Sequence, residues 1–291
     1  MKIVERADLN VELWDELVRN SLDSTIFSLS IYLDAVAENW CVYVDEKYTK
    51  GIALPYTLRL NVKTLYTPTL LMYVEWFGKE IPSGLIEKLK SAFTIGNFCM
   101  KERMDDLSCK EYLRQEIVEP HFNEQAKRAL KRFEKSSLVL SKGNYENEVL
   151  VIIEKELPIK IASLDKAAII SLKKLVQVLV KEDLLLVHAV VEKQRVVGGI
   201  LSMKFKNRTI YLKGAFEAEA KKNGGMFKCI STLIEEEKLS GRIVDFGGSR
   251  IENVRKFNLN FGAVDRTYYN FTWNNAPLHF KLLKRLKKAI K

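Results

Sequence analysis

Two stretches of this chain follow one pattern, and this repeat limits the folds that the chain can adopt. Each stretch reads as a strand ending in Glu-Lys, a polar turn, a long apolar strand and a strand marked Thr-x-Tyr. Corresponding residues lie 145 or 146 positions apart in a chain of 291, namely Glu46-Lys47 with Glu192-Lys193, and Thr64 and Tyr66 with Thr209 and Tyr211. Helical patterns precede both stretches. The repeat predicts two copies of one β-rich unit.

Length and composition agree with two domains. A domain typically takes roughly 100–200 residues, and 47% of the 291 residues are hydrophobic, enough for two cores. We expect an N-terminal domain over residues 1–120, a basic linker helix over residues 121–139 and a C-terminal domain over residues 140–291. The first ten residues lack the apolar segment of a signal peptide. No apolar run approaches the ~20 residues that span a bilayer, so we expect a cytoplasmic protein.

The cysteines and histidines do not indicate a metal centre. The four cysteines, Cys41, Cys99, Cys109 and Cys229, show neither a CxxC spacing nor a metal-ligand pattern with the three histidines. We expect reduced, mostly buried thiols and no metal. Motifs of serine hydrolases, P-loop enzymes, dinucleotide-binding folds and zinc proteases are absent from the sequence.

The segment from Arg242 to Ala263 carries the most distinctive local pattern. It reads as a buried strand, a double-glycine turn and a short helix that ends at Gly262, where glycine suits the left-handed conformation after a helix. Ser249 stands three residues before Glu252, which is the spacing of a capping box. An aromatic strand with alternating side chains then runs through residues 268–273. The pattern predicts a strand–helix–strand unit.

The sequence DFGGS, the arginine-bearing helix, the Phe-Gly-Ala and the aromatic strand resemble the C-terminal half of the GNAT-like acyltransferases. The closer similarity is to the FemABX-type branch, including BioF2-like (CelD-like) acetyltransferases. In that pattern an acidic residue often occupies the position of Gly247. The resemblance implies an α/β (α+β) fold of two tandem GNAT-like domains, each a mixed, mostly antiparallel sheet flanked by helices.

A glycine-containing turn before a helix provides a candidate phosphate site. A strand over Thr209–Lys213 leads to the turn, and a helix begins near Met226. Unpaired N–H groups and the helix dipole at such a start favour a bound anion. The turn resembles the Gln/Arg-x-x-Gly-x-Gly/Ala loop by which GNAT enzymes hold the pyrophosphate of coenzyme A, with lysine and methionine as departures; a plain strand–helix loop is the alternative. The candidate cofactor-binding residues are Lys221, Lys222, Asn223, Gly224, Gly225 and Met226. The first half lacks a lysine-flanked turn, so we expect it to bind no cofactor.

Acyl transfer to an amine needs a stabilised oxyanion and a proton donor for the leaving group. The resemblance implies that backbone N–H groups of the central strand bind the carbonyl. A tyrosine, with a reference pKa near ~10, suits the proton donor. The candidate catalytic residues are Tyr268, Tyr269, Asp245 and Glu217, and the candidate substrate-binding residues are Ser249, Arg250 and Arg255. Each also has a structural interpretation: a helix cap for Ser249, a backbone contact for Asp245 and a solvent face for the arginines.

Two predicted amphipathic helices hold most of the net charge of +10. One covers Asn123–Lys135 and the other covers the tail, where residues 281–291 include six basic residues and no acid. Their basic faces fit three interpretations: a solvated face, a surface for a polyanion such as tRNA, or contact with an acidic membrane surface.

Three functions follow from these observations. The first is an N-acyltransferase that uses acyl-CoA and an amine acceptor, either a small molecule or a peptide. The second is a Fem-type transferase that takes an amino acid from aminoacyl-tRNA to a cell-wall precursor. The third is a non-catalytic binding protein on a degenerate GNAT fold.

Overall fold

A computed structural model of the protein describes residues 1–104, 109–157, 165–248 and 252–277. The chain forms two compact units. Unit 1 contains residues 1–111 together with the segment from residue 268 onward, and unit 2 contains residues 112–267. In the described part of the chain, no helix is long and apolar enough to cross a membrane.

Unit 1 begins with a short strand, followed by two short helices and the other strands. Asn10 caps the first helix, because its side chain accepts a hydrogen bond from the N–H of Leu13. Trp14 and Val18 on one face of that helix are fully buried. The helices are α1 (Val11–Asn20), α2 (Ser30–Val36) and α3 (Leu85–Ala92); the strands are β1 (Lys2–Glu5), β2 (Asn39–Val44), β3 (Gly51–Arg59), β4 (Val62–Tyr66), β5 (Trp76–Phe77) and β6 (Ile95–Met100).

Unit 2 places helices along its own strands. Its core joins apolar residues of a long helix to neighbouring strands, as when Ile230 and Leu233 cluster with Val244 and Phe261. The strands are β7 (Lys110–Ile117), β8 (Val139–Lys142), β9 (Leu185–Glu192), β10 (Arg195–Phe205), β11 (Arg208–Phe216) and β12 (Ile243–Gly248); the helices are α4 (Glu124–Glu134), α5 (Glu146–Glu156), α6 (Lys166–Lys181), α7 (Ala218–Lys222), α8 (Gly225–Leu239) and α9 (Glu252–Leu259). A further strand, β13 (Val264–Asn274), begins in unit 2 and belongs to unit 1 from Tyr268 onward.

The strands of the two units follow the same order. Unit 1 runs β1-β2-β3-β4-β6-β13 and unit 2 runs β8-β9-β10-β11-β12-β7. In each unit the fourth and fifth strands of this order are parallel, and the other described neighbours are antiparallel. The parallel pairs also correspond: Thr64 lies opposite Ile95 in unit 1, and Thr209 lies opposite Val244 in unit 2. The repeat in the sequence is therefore a repeat of structure.

By the domain limits expected from the sequence, the last strand in the order of each unit would belong to the other domain. β7 precedes every other strand of unit 2 and pairs with β12, with Val244 opposite Ile117. β13 is the last strand in the described part of the chain, yet its residues from Tyr269 to Asn274 pair with β6 of unit 1. The compact units therefore divide the chain at residues 111 and 267, whereas the sequence predicts one boundary region over residues 121–139. A sequence read as consecutive segments does not reveal strands that pair far along the chain.

Several element limits also differ from the sequence prediction. The strand expected to end at Lys213 continues to Phe216, and a short helix, α7, follows it before α8. The basic helix expected over Asn123–Lys135 is α4, and Asn123 caps it through hydrogen bonds from two backbone N–H groups. The basic tail beyond residue 277 lies outside the described residues. The four cysteines are free thiols, of which three are buried.

Candidate active site

The predicted phosphate turn joins α7 to α8 in unit 2. Lys221 and Lys222 end α7 with exposed side chains. Gly224 then adopts a left-handed conformation (φ 84°) immediately before the first residue of α8. Within the described residues, no hydrogen-bond acceptor is recorded for the backbone N–H groups of the first three residues of α8, Gly225 to Phe227. Such N–H groups and the helix dipole create a local positive potential.

The two glycines of the turn are explained by close packing. A Cβ atom on Gly224 would lie 2.3 Å from the carbonyl oxygen of Ala129 in α4. A Cβ atom on Gly225 would lie 2.9 Å from the carbonyl oxygen of Ala220 in α7. Both glycines therefore let α8 begin against neighbouring backbone, and their presence is not itself a sign of a ligand.

The bulky residue at the start of α8 does not fill the turn. Met226 is partly buried and packs against the apolar core of unit 2. The ring of Phe227 packs against Phe257 at a centroid distance of 4.9 Å and against Phe261 at 5.6 Å. Both side chains make apolar contacts within unit 2. The backbone N–H groups at the start of α8 are therefore the polar groups that the turn could offer to a ligand.

The strand before the turn separates from its parallel neighbour. Pairing between β11 and β12 is recorded over three residues of β11, Arg208 to Ile210, although β11 continues to Phe216. On the other edge of β11, the register with β10 shifts so that Ser202 pairs with Tyr211 and Leu201 pairs with Lys213. Leu212 is therefore an extra residue, a β-bulge. The last part of β11 is a strand edge with an irregular backbone, and only α7 separates it from the phosphate turn.

A buried ionic network lies where β11 and β12 are still paired. Asp245 is 0% exposed, and its Oδ2 accepts hydrogen bonds from Arg114 (2.7 Å) and Arg208 (2.9 Å). Its Oδ1 accepts a hydrogen bond from the N–H of Gly247 (2.8 Å), which has a φ of 72°. Glu116 accepts hydrogen bonds from the same two arginines at 2.7 and 2.8 Å. Each carboxylate shares its charge with paired guanidinium groups, which is how buried charges become tolerable.

Glu116 has a third cationic partner. Arg266 donates a hydrogen bond from Nε to Oε1 of Glu116 at 2.6 Å. Burial raises the pKa of Glu116, but the hydrogen bonds from Arg208, Arg266 and Arg114 outweigh burial and lower the pKa to about 2. Glu116 is therefore ionised at neutral pH and cannot serve as a proton donor there.

The fold agrees with known structures, whereas no protein-family model and no curated protein sequence matches the chain. FemX is similar with a TM-score of 0.61 at 10% identity, over 94% of this chain and 98% of that one. The C-terminal domain of a putative lysylphosphatidylglycerol synthetase from Agrobacterium fabrum gives 0.60 at 11% identity, over 94% of each chain. A tandem GNAT protein from the clavulanic acid biosynthesis pathway gives 0.51 at 11% identity, over 95% and 99%. This is a tandem GNAT-like fold. The FemABX-like resemblance expected from the sequence is confirmed at the level of the fold.

In the tandem GNAT-like fold of this chain, three predicted site residues have structural partners. Both oxygens of Asp245 are engaged in the buried network, so the structure gives it a positioning role. Glu217 forms a bidentate ion pair with Arg195, at 2.5 and 2.8 Å, and this hydrogen-bonded partner holds the pKa of Glu217 below its usual value. Arg255 pairs with Asp265, with Nη2 and Oδ2 2.5 Å apart. None of the three offers an unpaired charge to a substrate.

The remaining predicted residues fall in other places. Tyr268 belongs to unit 1, where it is buried with its ring centroid 5.9 Å from that of Tyr73. Tyr269 also belongs to unit 1, is half-buried and lies opposite Met100 in the sheet. Ser249 and Arg250 lie outside the described residues. The role of the two tyrosines as proton donors stays a prediction.

Three charged residues of this region, Arg114, Glu116 and Lys213, were not among the site residues predicted from the sequence. Arg114 and Glu116 are two residues apart on β7, so both lie on the same face of the strand. Lys213 is a charged residue in the second, mostly apolar half of β11, directly after Leu212. Charged residues inside strand patterns are the available signal, but the sequence does not show that β7 pairs with a strand more than 120 residues later.

Unit 1 contains a separate cleft of about 510 Å³ lined by Glu5, Arg6, Asp34 and neighbouring residues. Its charges are paired with one another or with adjacent side chains. Arg6 Nη2 lies 2.9 Å from Asp34 Oδ2, and Glu5 Oε1 lies 2.7 Å from Lys63 Nζ. The cleft lies in a different unit from the phosphate turn.

Proposed function

We propose that the protein is an N-acyltransferase that moves an acyl group from acyl-CoA to an amine acceptor. The observation that carries the proposal is the start of α8, where three backbone N–H groups without a recorded acceptor follow a strand edge that has separated from its neighbour. Two proteins of similar fold support the proposed class. One is a tandem GNAT protein, whose structure is that without AcCoA, and the other is FemX.

The turn supplies groups for the pyrophosphate of coenzyme A. The N–H groups of Gly225, Met226 and Phe227 donate hydrogen bonds to phosphate oxygens, and the helix dipole adds to the attraction. Lys221 and Lys222 are exposed beside the turn and raise the positive potential. Asn223 donates its side-chain N–H to Glu219 at 2.9 Å, so it shapes the turn from within.

The acyl end of the donor would lie along the edge of β11. Coenzyme A supplies an activated thioester, and the chain must position its carbonyl and admit an amine. The bulge at Leu212 disturbs the regular pairing of β11, so a backbone N–H there becomes available to a carbonyl oxygen. Backbone N–H groups held in a rigid sheet stabilise a developing oxyanion without reorganisation.

Unit 1 lacks the matching features. Its fourth strand, β4, ends at Tyr66, where its pairing with β6 also ends. Its helix α3 does begin after a left-handed glycine, Gly84, but no lysine precedes that glycine within four residues. We assign the donor site to unit 2 alone.

Titration calorimetry with coenzyme A tests the donor site. Gly225→Glu is a poor probe because Gly225 is buried against Ala220 and Phe216, so the variant would also disturb folding. Lys221→Glu with Lys222→Glu reverses two exposed charges beside the turn. We expect this double variant to weaken binding by at least tenfold. A matched pair at exposed positions of unit 1, Lys47→Glu with Lys50→Glu, should leave the affinity unchanged; equal affinities for both double variants would contradict the site.

The basic face of α4 favours a second candidate, transfer from aminoacyl-tRNA. α4 exposes Lys127, Arg128, Lys131 and Arg132, and Arg132 also donates a hydrogen bond to the carbonyl oxygen of Lys222 at 3.3 Å. These cations therefore lie beside the phosphate turn. Binding of tRNA through this face would weaken steeply with salt, and Lys127→Glu with Lys131→Glu would flatten that dependence. Salt-independent or absent tRNA binding would exclude this candidate.

A third candidate is a binding protein that has kept the fold without catalysis. It shares the donor site with the first candidate and differs in turnover. Release of free thiol from acetyl-CoA, measured with a panel of primary amines, separates the two. Binding without thiol release for any amine would favour the non-catalytic protein.

A further inference from the structure

Lys213 is an unusual residue of unit 2. It lies on β11, three residues beyond the last recorded pair between β11 and β12, and immediately after the bulge at Leu212. Its side chain is half-buried, and burial lowers the pKa of its ammonium group. Among the described residues, no hydrogen bond or ion pair is recorded for it. A desolvated ammonium without a partner is costly.

The other half-buried cations on the strands of unit 2 do have partners. Lys204 of β10 pairs with Asp183 at 2.9 Å. Arg208, on the same strand as Lys213, pairs with Asp245 and Glu116. Among the described residues, the lack of a partner therefore distinguishes Lys213 from the other half-buried cations on these strands.

The sheet register shows which face Lys213 occupies. A Cβ atom on Gly199 of β10 would lie 2.6 Å from Val149, so that face of the sheet is covered by α5. Leu201 stands two residues after Gly199 on the same strand and shares this face. Lys213 lies directly opposite Leu201 in the antiparallel pair, and opposite residues project from the same face. Lys213 therefore lies on the α5 face, whereas the core around α8 packs on the opposite face.

The same face carries the buried ionic network. Ile210 pairs with Asp245, and Arg208 stands two residues before Ile210 on β11. Asp245 and Glu116 are each neutralised there by arginines, so the network has no carboxylate left for Lys213. Among the residues that the structure describes, the α5 face thus presents Lys213 as an unpaired cation at the strand edge where β11 leaves β12.

We propose that Lys213 binds an anionic group of the acceptor, and that the acceptor is therefore an amine that also carries a carboxylate or a phosphate group. This proposal rests on the proposed function, because it places the acceptor at the edge of β11 that receives the acyl group. An anion at Lys213 restores the electrostatic partner that the folded chain does not provide. The ammonium acts as a positioning group, and the acceptor amine remains the nucleophile.

The chemistry predicts discrimination between matched amines. An ion pair formed in a partly desolvated site is worth more than one in water, since the effective dielectric is lower. A site with a built-in cation also rejects an uncharged analogue, because the cation is then left unpaired. We expect β-alanine over β-alaninamide, or O-phosphoethanolamine over ethanolamine, by at least tenfold in kcat/KM. The two pairs separate a carboxylate acceptor from a phosphate acceptor.

The direct test uses the wild-type chain and does not need turnover. The rate at which an amine-reactive acylating reagent labels Lys213 is followed by mass spectrometry, with acetate, succinate or inorganic phosphate present and with acetamide as the uncharged control. We expect at least one anion to slow labelling of Lys213 at least fivefold, while labelling of Lys204 stays unchanged. Labelling of Lys213 that no anion slows would overturn the proposal.

A variant then connects the anion site to the acceptor. Lys213→Met removes the charge and keeps the length of the side chain; we expect it to bind coenzyme A normally and to lose the preference within each amine pair. Lys204→Met is the matched control and should keep that preference. If coenzyme A fails to bind the wild type while anions still protect Lys213, the proposed function fails and the anion site stands. If coenzyme A binds and anions give no protection, the inference about Lys213 fails alone.

Discussion

Oδ2 of Asp245 lies 2.7 Å from Nη1 of Arg114, a residue 131 positions earlier in the chain. This contact joins β12 to β7, the strand that precedes every other strand of unit 2. Since Asp245 is fully buried and also bound to Arg208, its carboxylate stabilises the charges of two arginines. Asp245 therefore determines how β7, β11 and β12 are held together.

Asp245→Asn should destabilise the protein strongly. Breaking a buried ion pair by changing one partner leaves an uncompensated charge and costs about 3–5 kcal/mol. Equilibrium unfolding in urea measures the change. The matched control is Glu154→Gln, which removes an exposed pair with Lys173 (2.7 Å) and should cost less than about 1 kcal/mol. Equal losses for the two variants would argue against the network.

The sequence predicted the repeat because Thr64 and Thr209 occupy corresponding positions in two β-rich segments, and local patterns of that kind survive without knowledge of pairing. It also predicted α4 and α8, since their apolar residues recur at helical spacing. The network around Asp245 could not be predicted, because its partners Arg114 and Glu116 come from a distant strand. The same reason explains the domain limits: pairing of β13 with β6 depends on the assembled sheet and leaves no local signal.

The local structure of the predicted site was predictable in part, and its function stays a prediction. The sequence predicts the turn before α8, and the glycines of this turn allow the close approach of Ala129 and Ala220. The sequence offers Glu217 and Arg255 as candidate site residues, but it does not show that Arg195 and Asp265 lie against them. The sequence predicts Lys213 at the end of a strand, whereas β11 continues to Phe216 and places Lys213 inside the strand.

Lowering the pH should reduce the free energy of unfolding, because Glu116 becomes protonated. Its pKa in the folded state is about 2, below the ordinary value of 4.5. The stability that ionised Glu116 contributes is therefore fully present above pH 4.5 and is lost as the pH falls toward 2. The loss is on the order of 3 kcal/mol. Urea unfolding of the wild type and of Glu116→Gln across this range checks the prediction: the variant should be less stable at pH 6, and the difference should shrink at pH 2.5. A difference independent of pH would contradict it.

Glu102 in unit 1 should lower the stability of the protein as the pH rises, which is opposite to the effect of Glu116. Burial and the nearby Glu75 raise its pKa to about 7 from 4.5. A raised carboxyl pKa costs stability once the group is forced to ionise, so the cost is absent below pH 4.5 and complete above pH 7. Glu102→Gln should therefore stabilise the protein at pH 8 relative to its effect at pH 4. Glu46→Gln, at an exposed turn, is the control and should show no such difference. Equal effects of Glu102→Gln at both pH values would refute the prediction.

Gly224 should tolerate substitution less than its counterpart in unit 1. Gly224 and Gly84 both precede a helix with a left-handed backbone, at φ values of 84° and 75°. Alanine in that conformation costs roughly 1–2 kcal/mol. Gly84 has no atom within 4 Å of an added Cβ, whereas Gly224 has the carbonyl oxygen of Ala129 at 2.3 Å. Thermal unfolding should show a loss for Gly224→Ala at least twice that for Gly84→Ala; similar losses would mean that α4 does not pack there as described.

Backbone amide NMR of the full chain titrated with acetyl-CoA tests most directly whether the N–H groups of Gly225, Met226 and Phe227 hold the pyrophosphate. We expect saturable binding in which these three amides show the largest downfield shifts, with smaller changes at Lys213 and its neighbours on β11. Binding that leaves the three amides unshifted, or no binding to the folded protein, would contradict the proposed donor site.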